Sequence, residues 1–339
     1  MCPVTTARVT ISGLADRLGL SKASVSYALN GQPGVSEETR ARVVALAEEL
    51  GWHPSSSARS LSRARADAIG IVLRRDPSLL GAEPYYMSLL AGVEAVLAQT
   101  GQSLLLRMVG PDTGQDSAAY RRWSAERRVD GVMLFDIAVG DPRPALLDEL
   151  GIEYVVHGNR ESVAPGHVLL YDAEEDARLL VDHLAGLGHR ALLQIGGPVE
   201  FEHELERRDA VARHATARGM RVDWAPSDYS MGAGERLAGD RLAADAGPFA
   251  VVGSNDLLSV GAQNAVSAAG RAGVAVVSWD DSVLCRLGSR PITALDRFPE
   301  EQGKRATLML LDLLQGAPDP ASRARRSVLV PRATSVRAT

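Results

Sequence analysis

The chain has 339 residues, 45% of them hydrophobic, which suits one to three domains with cores of their own and is too ordered a mixture for a disordered protein. Its 37 basic and 42 acidic residues leave a formal charge of −5, which argues against a coat that holds nucleic acid by charge excess alone, since such binding rests on displacing counterions from phosphate. Two cysteines, Cys2 and Cys285, exclude a disulfide framework and a cysteine zinc site, and they suit a reducing cytoplasm.

The start MCPVTTARVTISGLA has no charged run leading into a long apolar one, and no apolar stretch approaches the ~18 residues of a membrane span. A soluble, unprocessed chain without a membrane partner is expected. Charge is unevenly spread. Residues 1–66 hold eight basic and five acidic side chains, a surplus of three positive charges, so the remainder carries eight negative ones. Such a change of sign suggests two modules with different partners.

The first module reads as three short helices. Thr10 can cap a helix from Ile11 to Arg17 that Gly19 ends, and Ser21 can cap a second reaching Asn30 and Gly31. Two helices joined by so short a turn match a helix-turn-helix. Ser36 can cap a third, with Glu37 and Glu38 in the first turn where the helix dipole favours acid, and Gly51 as its stop. Leu14, Leu18, Val25, Leu29, Val43 and Leu46 can close a miniature core. The stretch SSSARSLSRARA that follows is polar apart from Leu61 and reads as a linker.

From Ala68 the texture changes to short apolar runs alternating with amphipathic segments that end in glycine. The runs are Ile69 to Leu73, Leu104 to Val109, Val129 to Phe135, Tyr154 to Val156, Val168 to Leu170, Ala191 to Ile195, Ala250 to Val252, Val274 to Ser278 and Ser327 to Val330. Strands alternating with helices imply doubly wound parallel sheets, and about 270 residues of this pattern suit two lobes. No GxSxG elbow, Walker loop, HExxH or GxGxxG occurs, and His183 with His189, or Asp280 with Asp281, read more simply as a helix face and a strand-end acid cluster. No catalysis, cofactor or metal is expected.

The residues VTISGLADRLGLSKASVSYALNGQPGVSEETRARVVALAEELGWHPSSSARSL resemble the DNA-binding head of the lactose-repressor (LacI/GalR-type) family of bacterial transcription regulators. The segments VDGVMLFD, HLAGLGHRALLQIGG, SNDLLSVGAQNAV, VSWDD and RPITALDR follow in family order, so the resemblance covers nearly the whole chain. It implies an all-α helix-turn-helix head joined to an α/β two-lobed effector domain like the periplasmic binding proteins. The head would span 8–54 and a hinge helix or linker 55–66. The N-terminal lobe would combine 68–160 with 293–324, and the C-terminal lobe 161–292 with 325–339.

A recognition helix enters the ~12 Å major groove with its first residues against base edges. Lys22 suits guanine O6 and N7, Ala23 a thymine methyl, and Ser26 and Tyr27 a phosphate or base edge. Ser21, Ser24, Asn30, Ser36 and Thr39 match family positions that contact phosphate, which fixes register without reading sequence. Helix capping alone would also explain Ser21 and Ser36, and packing would explain Tyr27. In the family the linker folds on operator DNA and a leucine wedges into the minor groove, a role that falls here to Leu61 beside Ala58. Arg59 and Arg63 suit phosphate contacts or solvated charge equally.

Carried across by motif, the cleft between the lobes would take a small ligand, a sugar in most of the family, through Tyr85, Tyr86, Asn159 (or Arg160), Arg207, Tyr229, Asn255 and Asp280. Each has a plainer reading: packing for the tyrosines, a charged helix face for Arg207, a helix cap for Asn255. Gly13, Ala173 and Ala210 depart from common family residues, and VEFEHELERRDAVARH is unusually charged for its place. The expected protein is a homodimeric, cytoplasmic, nucleoid-associated repressor of sugar-uptake or catabolic genes on pseudo-palindromic double-stranded operator DNA. A co-repressor- or partner-dependent regulator of non-sugar genes stays open as the alternative.

Overall fold

A computed structural model describes residues 9–52, 65–75, 81, 83–110, 114–158, 167–244, 247–317, 323–335 and 337. The chain divides into two compact units, Met1–Ala66 and Asp67–Thr339, at the point where the sequence changes its sign of charge.

Helices α1 (Ile11–Leu18), α2 (Lys22–Leu29) and α3 (Glu37–Glu49) build the first unit. Each begins at the expected hydroxyl. Thr10 accepts from the Gly13 amide, Ser21 from Ser24 and Ser36 from Thr39, which satisfies N–H groups that a helix start leaves without an intrahelical partner. The Thr10 half of a capping box therefore forms although Gly13 supplies no acid to complete it. Leu14, Val25 and Val43 are fully buried, and Leu18, Leu29 and Leu46 flank them partly buried.

In the second unit, β1 (Ala68–Arg74), α4 (Pro84–Thr100), β2 (Ser103–Val109), α5 (Gln115–Glu126), β3 (Gly131–Leu134), α6 (Arg143–Leu150), β4 (Glu153–His157) and β5 (Val168–Leu169) give a parallel sheet of order β2-β1-β3-β4-β5. A second sheet is built by α7 (Ala173–Gly186), β6 (Ala191–Ile195), α8 (Glu202–Ala217), β7 (Arg221–Ala225), α9 (Met231–Ala244), β8 (Ala250–Gly253), α10 (Asp256–Ala268), β9 (Ala275–Ser278), α11 (Val283–Leu287) and β10 (Thr293–Asp296). After α12 (Pro299–Leu314) it is completed by β11 (Val328–Val330). Its order is β11-β10-β9-β8-β6-β7, with β11 antiparallel to β10. Helices cover both faces of each sheet, which is why β3, β8 and β9 are buried along their whole length and read as unbroken apolar runs.

Two strands escaped the apolar-run reading. Strand β7, RVDWA, lies at a sheet edge with Arg221 and Asp223 exposed, and β10, TALD, is half polar in composition. The lobe boundaries also differ from those expected. Residues 168–169 still pair in the first sheet, and 293–296 already belong to the second. The chain therefore crosses between lobes near Leu170, again between β10 and α12, and a third time after the bridge of Leu170 with Arg323. Sheet membership is a pairing choice made in three dimensions, and a short apolar run does not encode it.

Helix α12 packs on α4 and on β3, β4 and β5, so a segment from the end of the chain completes the first lobe. The two helices meet through glycines. A Cβ on Gly303 would fall 2.0 Å from the Leu89 carbonyl oxygen, and one on Gly92 1.9 Å from that of Glu300. Gly303→Ala is expected to push the helices apart and cost about 1–3 kcal/mol. The check is thermal unfolding, where a melting temperature equal to the wild type's would mean that the crossing is not tight in solution.

Candidate functional site

In the second unit a cleft of about 650 Å³, its mouth included, lies between the two sheets. Its side chains come from the carboxyl ends of the parallel strands, where open α/β sheets place their ligands. Arg75 follows β1, Asp136 follows β3, His157 ends β4 and Tyr171 follows β5. From the other side come Ser254 and Asn255 after β8, Asp280 after β9 and Arg297 after β10, with His203 and Arg207 on α8 and Tyr229 before α9.

Six of the seven ligand candidates, Tyr85, Tyr86, Arg207, Tyr229, Asn255 and Asp280, line this one cleft; Asn159, like Arg160, lies outside the described residues. Each of the six has a partner. Tyr85 donates its hydroxyl to Gln302 Oε1 (2.9 Å), which His157 Nε2 also meets at 2.7 Å. Tyr86 donates to Asp136 Oδ1 (2.7 Å), and Asp280 Oδ1 accepts from Arg297 Nη1 (2.8 Å). The plain reading of Asn255 as a helix cap is realised: Oδ1 accepts from the Leu258 amide at 2.8 Å, while Nδ2 donates to the Tyr229 carbonyl at 3.3 Å. Arg207 Nε and Asp256 Oδ2 are buried without a hydrogen-bond acceptor or donor, and Arg297 Nε has no hydrogen bond but faces Asp176 Oδ2 at 3.8 Å.

Glu204, fully buried on α8 beside the cleft, organises the second lobe's wall. Its carboxylate accepts from the Gly197 amide (2.7 Å), Ser254 Oγ (2.8 Å), Tyr229 Oη (2.9 Å) and Arg207 Nη1 (3.1 Å). Burial would raise its pKa; the neighbouring His203 and Arg207 and the Gly197 amide hold it instead far below the usual carboxylate range. Gly197 also leaves room for the aromatic ring, since a Cβ there would fall 2.0 Å from Tyr229 Cζ.

Across the cleft, Arg75 Nη1 lies 3.0 Å from Asp136 Oδ2 and Nε 3.3 Å from Glu83 Oε2. Burial opposes the Arg75 cation, but Asp136 above all, with Tyr86 and Glu83, reverses this and raises its pKa. Burial lowers the His157 pKa to about 4 and raises that of Asp256 to about 6, so His157 is neutral at physiological pH.

Residues 10–55 match the bacterial regulatory proteins of the lacI family, and residues 181–335 match a periplasmic binding protein-like domain. The chain is 30% identical to the HTH-type transcriptional regulator CelR of Thermobifida fusca, over 91% of this chain and 93% of that one. This chain belongs to the LacI family. It is a transcriptional regulator with a DNA-binding helix-turn-helix head. Among solved structures it resembles the transcriptional regulator CelR–cellobiose complex, at 27% identity over 96% of this chain and 100% of that one, with a TM-score of 0.72. It shares its fold with the lac repressor dimer bound to operator and the anti-inducer ONPF, at 24% identity over 97% and 99% of the two chains, with a TM-score of 0.85.

In the LacI-type head, α2 presents Ser21, Lys22, Ala23 and Tyr27 to solvent, with Tyr27 44% exposed although aromatic. Ser24 and Ser26 are half-buried. Ser21 and Ser36 spend their hydroxyls on capping, paired with Ser24 Oγ and Thr39 Oγ1 at 2.9 Å. Asn30 donates Nδ2 to the Ser26 carbonyl at 2.9 Å, closing the end of α2. Arg40 was missed. From α3 it donates to the carbonyls of Ala28 and Gln32, both at 3.0 Å, and so fixes the end of α2 against α3. Ala58, Arg59 and Leu61 lie outside the described residues. Among those described, no helix is long and apolar enough to cross a membrane, and no three His, Cys, Asp or Glu side chains could hold a metal ion.

Sequence reasoning also missed Arg75, Glu83, Asp136, His157, Tyr171, His203, Glu204 and Arg297. A signal existed for several of them: Asp136 comes directly after the run ending at Phe135, His157 after Val156 and Tyr171 after Leu170. For Glu204, the folded pKa is depressed, so its stabilisation is present above the ordinary value near 4.5 and is lost as pH falls below it. Glu204→Gln is expected to lose ~2–4 kcal/mol at neutral pH, and the gap from wild type should narrow in denaturant titrations as pH drops below that value. A gap that does not change with pH would show that the carboxylate charge is not what holds the wall.

Proposed function

We propose that this regulator is a repressor of sugar-uptake or catabolic genes, released from or held on its operator by an uncharged, hydroxyl-rich ligand in the cleft. The observation that carries the ligand class is charge matching. Arg75 faces Asp136 and Glu83, Arg207 faces Glu204, and Arg297 faces Asp280. Each cleft arginine thus meets a carboxylate and keeps only part of its donor capacity, an arrangement that suits ring hydroxyls better than a phosphate or carboxylate ligand. Tyr85, Tyr86, Tyr171 and Tyr229 supply ring faces for the apolar side of a sugar. Similarity to a regulator solved with cellobiose supports the same class.

In this reading Lys22 and Ala23 face base edges, Ser26 and Tyr27 a base edge or phosphate, Ser21, Ser24, Asn30, Ser36 and Thr39 meet phosphate, and Arg59 meets phosphate or stays solvated. Ala58 and Leu61 serve the minor-groove wedge of a homodimer. The ligand then shifts a population between two lobe arrangements, in proportion to its differential affinity for them.

A thermal-shift panel of neutral mono- and disaccharides, sugar phosphates and nucleosides tests the ligand class, since a ligand at 100 times its Kd stabilises by about 2.7 kcal/mol. Stabilisation by a neutral sugar is expected, weakened at least tenfold in apparent affinity by Asp280→Ala; a response confined to the charged members would overturn the reading. For the head, Lys22→Ala should relax discrimination at one operator base pair by about 1–3 kcal/mol. Equal loss on every operator variant in anisotropy titrations would make Lys22 a phosphate contact instead.

A further inference from the structure

Beside the cleft, next to Arg75, the two lobes are joined by the backbone itself. The Val139 amide, on the loop after β3, donates to the Glu200 carbonyl at 2.9 Å, and the Glu202 amide, at the start of α8, donates back to the Ile137 carbonyl at 2.9 Å. Between these two bonds Ala138 and Phe201 form an antiparallel bridge. The segments follow strands of different sheets, so this is the only place among the described contacts where a β-type pairing joins the two lobes away from a crossover of the chain.

Arg75 sits beside the bridge. Its carboxylate partners, Asp136 and Glu83, are in the first lobe, while its guanidinium lies over the rings of Phe201 (5.4 Å) and Tyr229 (5.3 Å) in the second. The first-lobe half is held rigidly from behind. Asp136 adopts φ 49, an uncommon conformation for a residue other than glycine. Fully buried Arg143 donates Nη2 to the carbonyls of Asp136 (2.8 Å) and Phe135 (3.0 Å), and its ion-pair partner Asp141 accepts from the Ala138 amide at 3.0 Å.

We infer that these elements form a latch: the 137–139 and 200–202 backbone bridge, with Arg75 seated between lobes, holds the two lobes together beside the cleft through the protein's own contacts, so the lobes separate only when the latch opens. Arg143 is a positioning residue in it, because it fixes the loop that carries the bridge. The inference concerns the contact between the lobes and holds whatever the chemistry of the ligand.

The bridge can be cut without touching the cleft lining. Asp141 N donates to Ala138 O at 3.1 Å and Gly140 has φ 68, so residues 138–141 form a turn of type II whose second position, Val139, accepts proline. Glu202 is the first residue of α8, where proline is tolerated, and Phe201 before it has the extended φ −86 and ψ 127 that a following proline requires. Val139→Pro and Glu202→Pro therefore each remove one interlobe donor while suiting the local backbone.

The test is amide hydrogen exchange on the full chain with no sugar added. In wild type the Val139 and Glu202 amides should be protected. Val139→Pro should accelerate exchange at Glu202, in the other lobe, by about five- to tenfold, the effect of losing one hydrogen bond, and Glu202→Pro should do the same at Val139. Unprotected amides in wild type, or exchange at the opposite lobe unchanged by either substitution, would overturn the latch. If one variant fails to fold, the other reads the same bridge from the opposite side.

Discussion

A guanidinium taken out of water is tolerable only beside a carboxylate, and the cleft of this regulator is organised by that requirement. Arg75, Arg207 and Arg297 are each nearly buried, and each is matched by Asp136, Glu204 or Asp280. Arg75 with Asp136 and Arg297 with Asp280 are attached to different strand ends, so meeting the electrostatic demand fixes the positions of their loops, while Arg207 and Glu204 meet one turn apart on α8. Glu204 carries this furthest: one carboxylate gathers an amide, two hydroxyls and an arginine from four places in the second lobe. Behind the first sheet, Arg74, Asp116, Asp141 and Arg143 repeat the pattern away from the cleft, with Arg74 Nη2 2.5 Å from Asp116 Oδ2.

The head is held by a different balance. Its helices are short, eight residues for α1 and α2, and would be marginal in isolation. Hydroxyl caps at Thr10, Ser21 and Ser36 and a small core around Leu14, Val25 and Val43 supply what length does not. Because capping uses one acceptor site of Ser21 and Ser36, a hydroxyl can close a helix and still face solvent.

Legibility in the sequence followed the range of the interactions. The three head helices were readable with their caps because a cap couples residues three apart. Nine strands were readable as short apolar runs, most of them parallel strands buried on both faces. Edge strand β7 and the short β10 were not, since their residues are stabilised by neighbours in the sheet and leave no apolar run. Six ligand candidates came together in one cleft because the family pattern indicated them, yet Arg75, Asp136, Glu204 and Arg297 were not among the candidates.

By itself the sequence determined the two modules, the positively charged head and the strand–helix alternation, because composition, capping and periodicity act over a few residues; the family it showed through the resemblance of whole motifs. Only the tertiary structure decided which charges pair, which strand joins which sheet and where the two lobes are bridged. The partners in those choices lie as far apart as Arg75 from Tyr229 or Val139 from Glu200, and nothing local in the chain specifies a contact of that range.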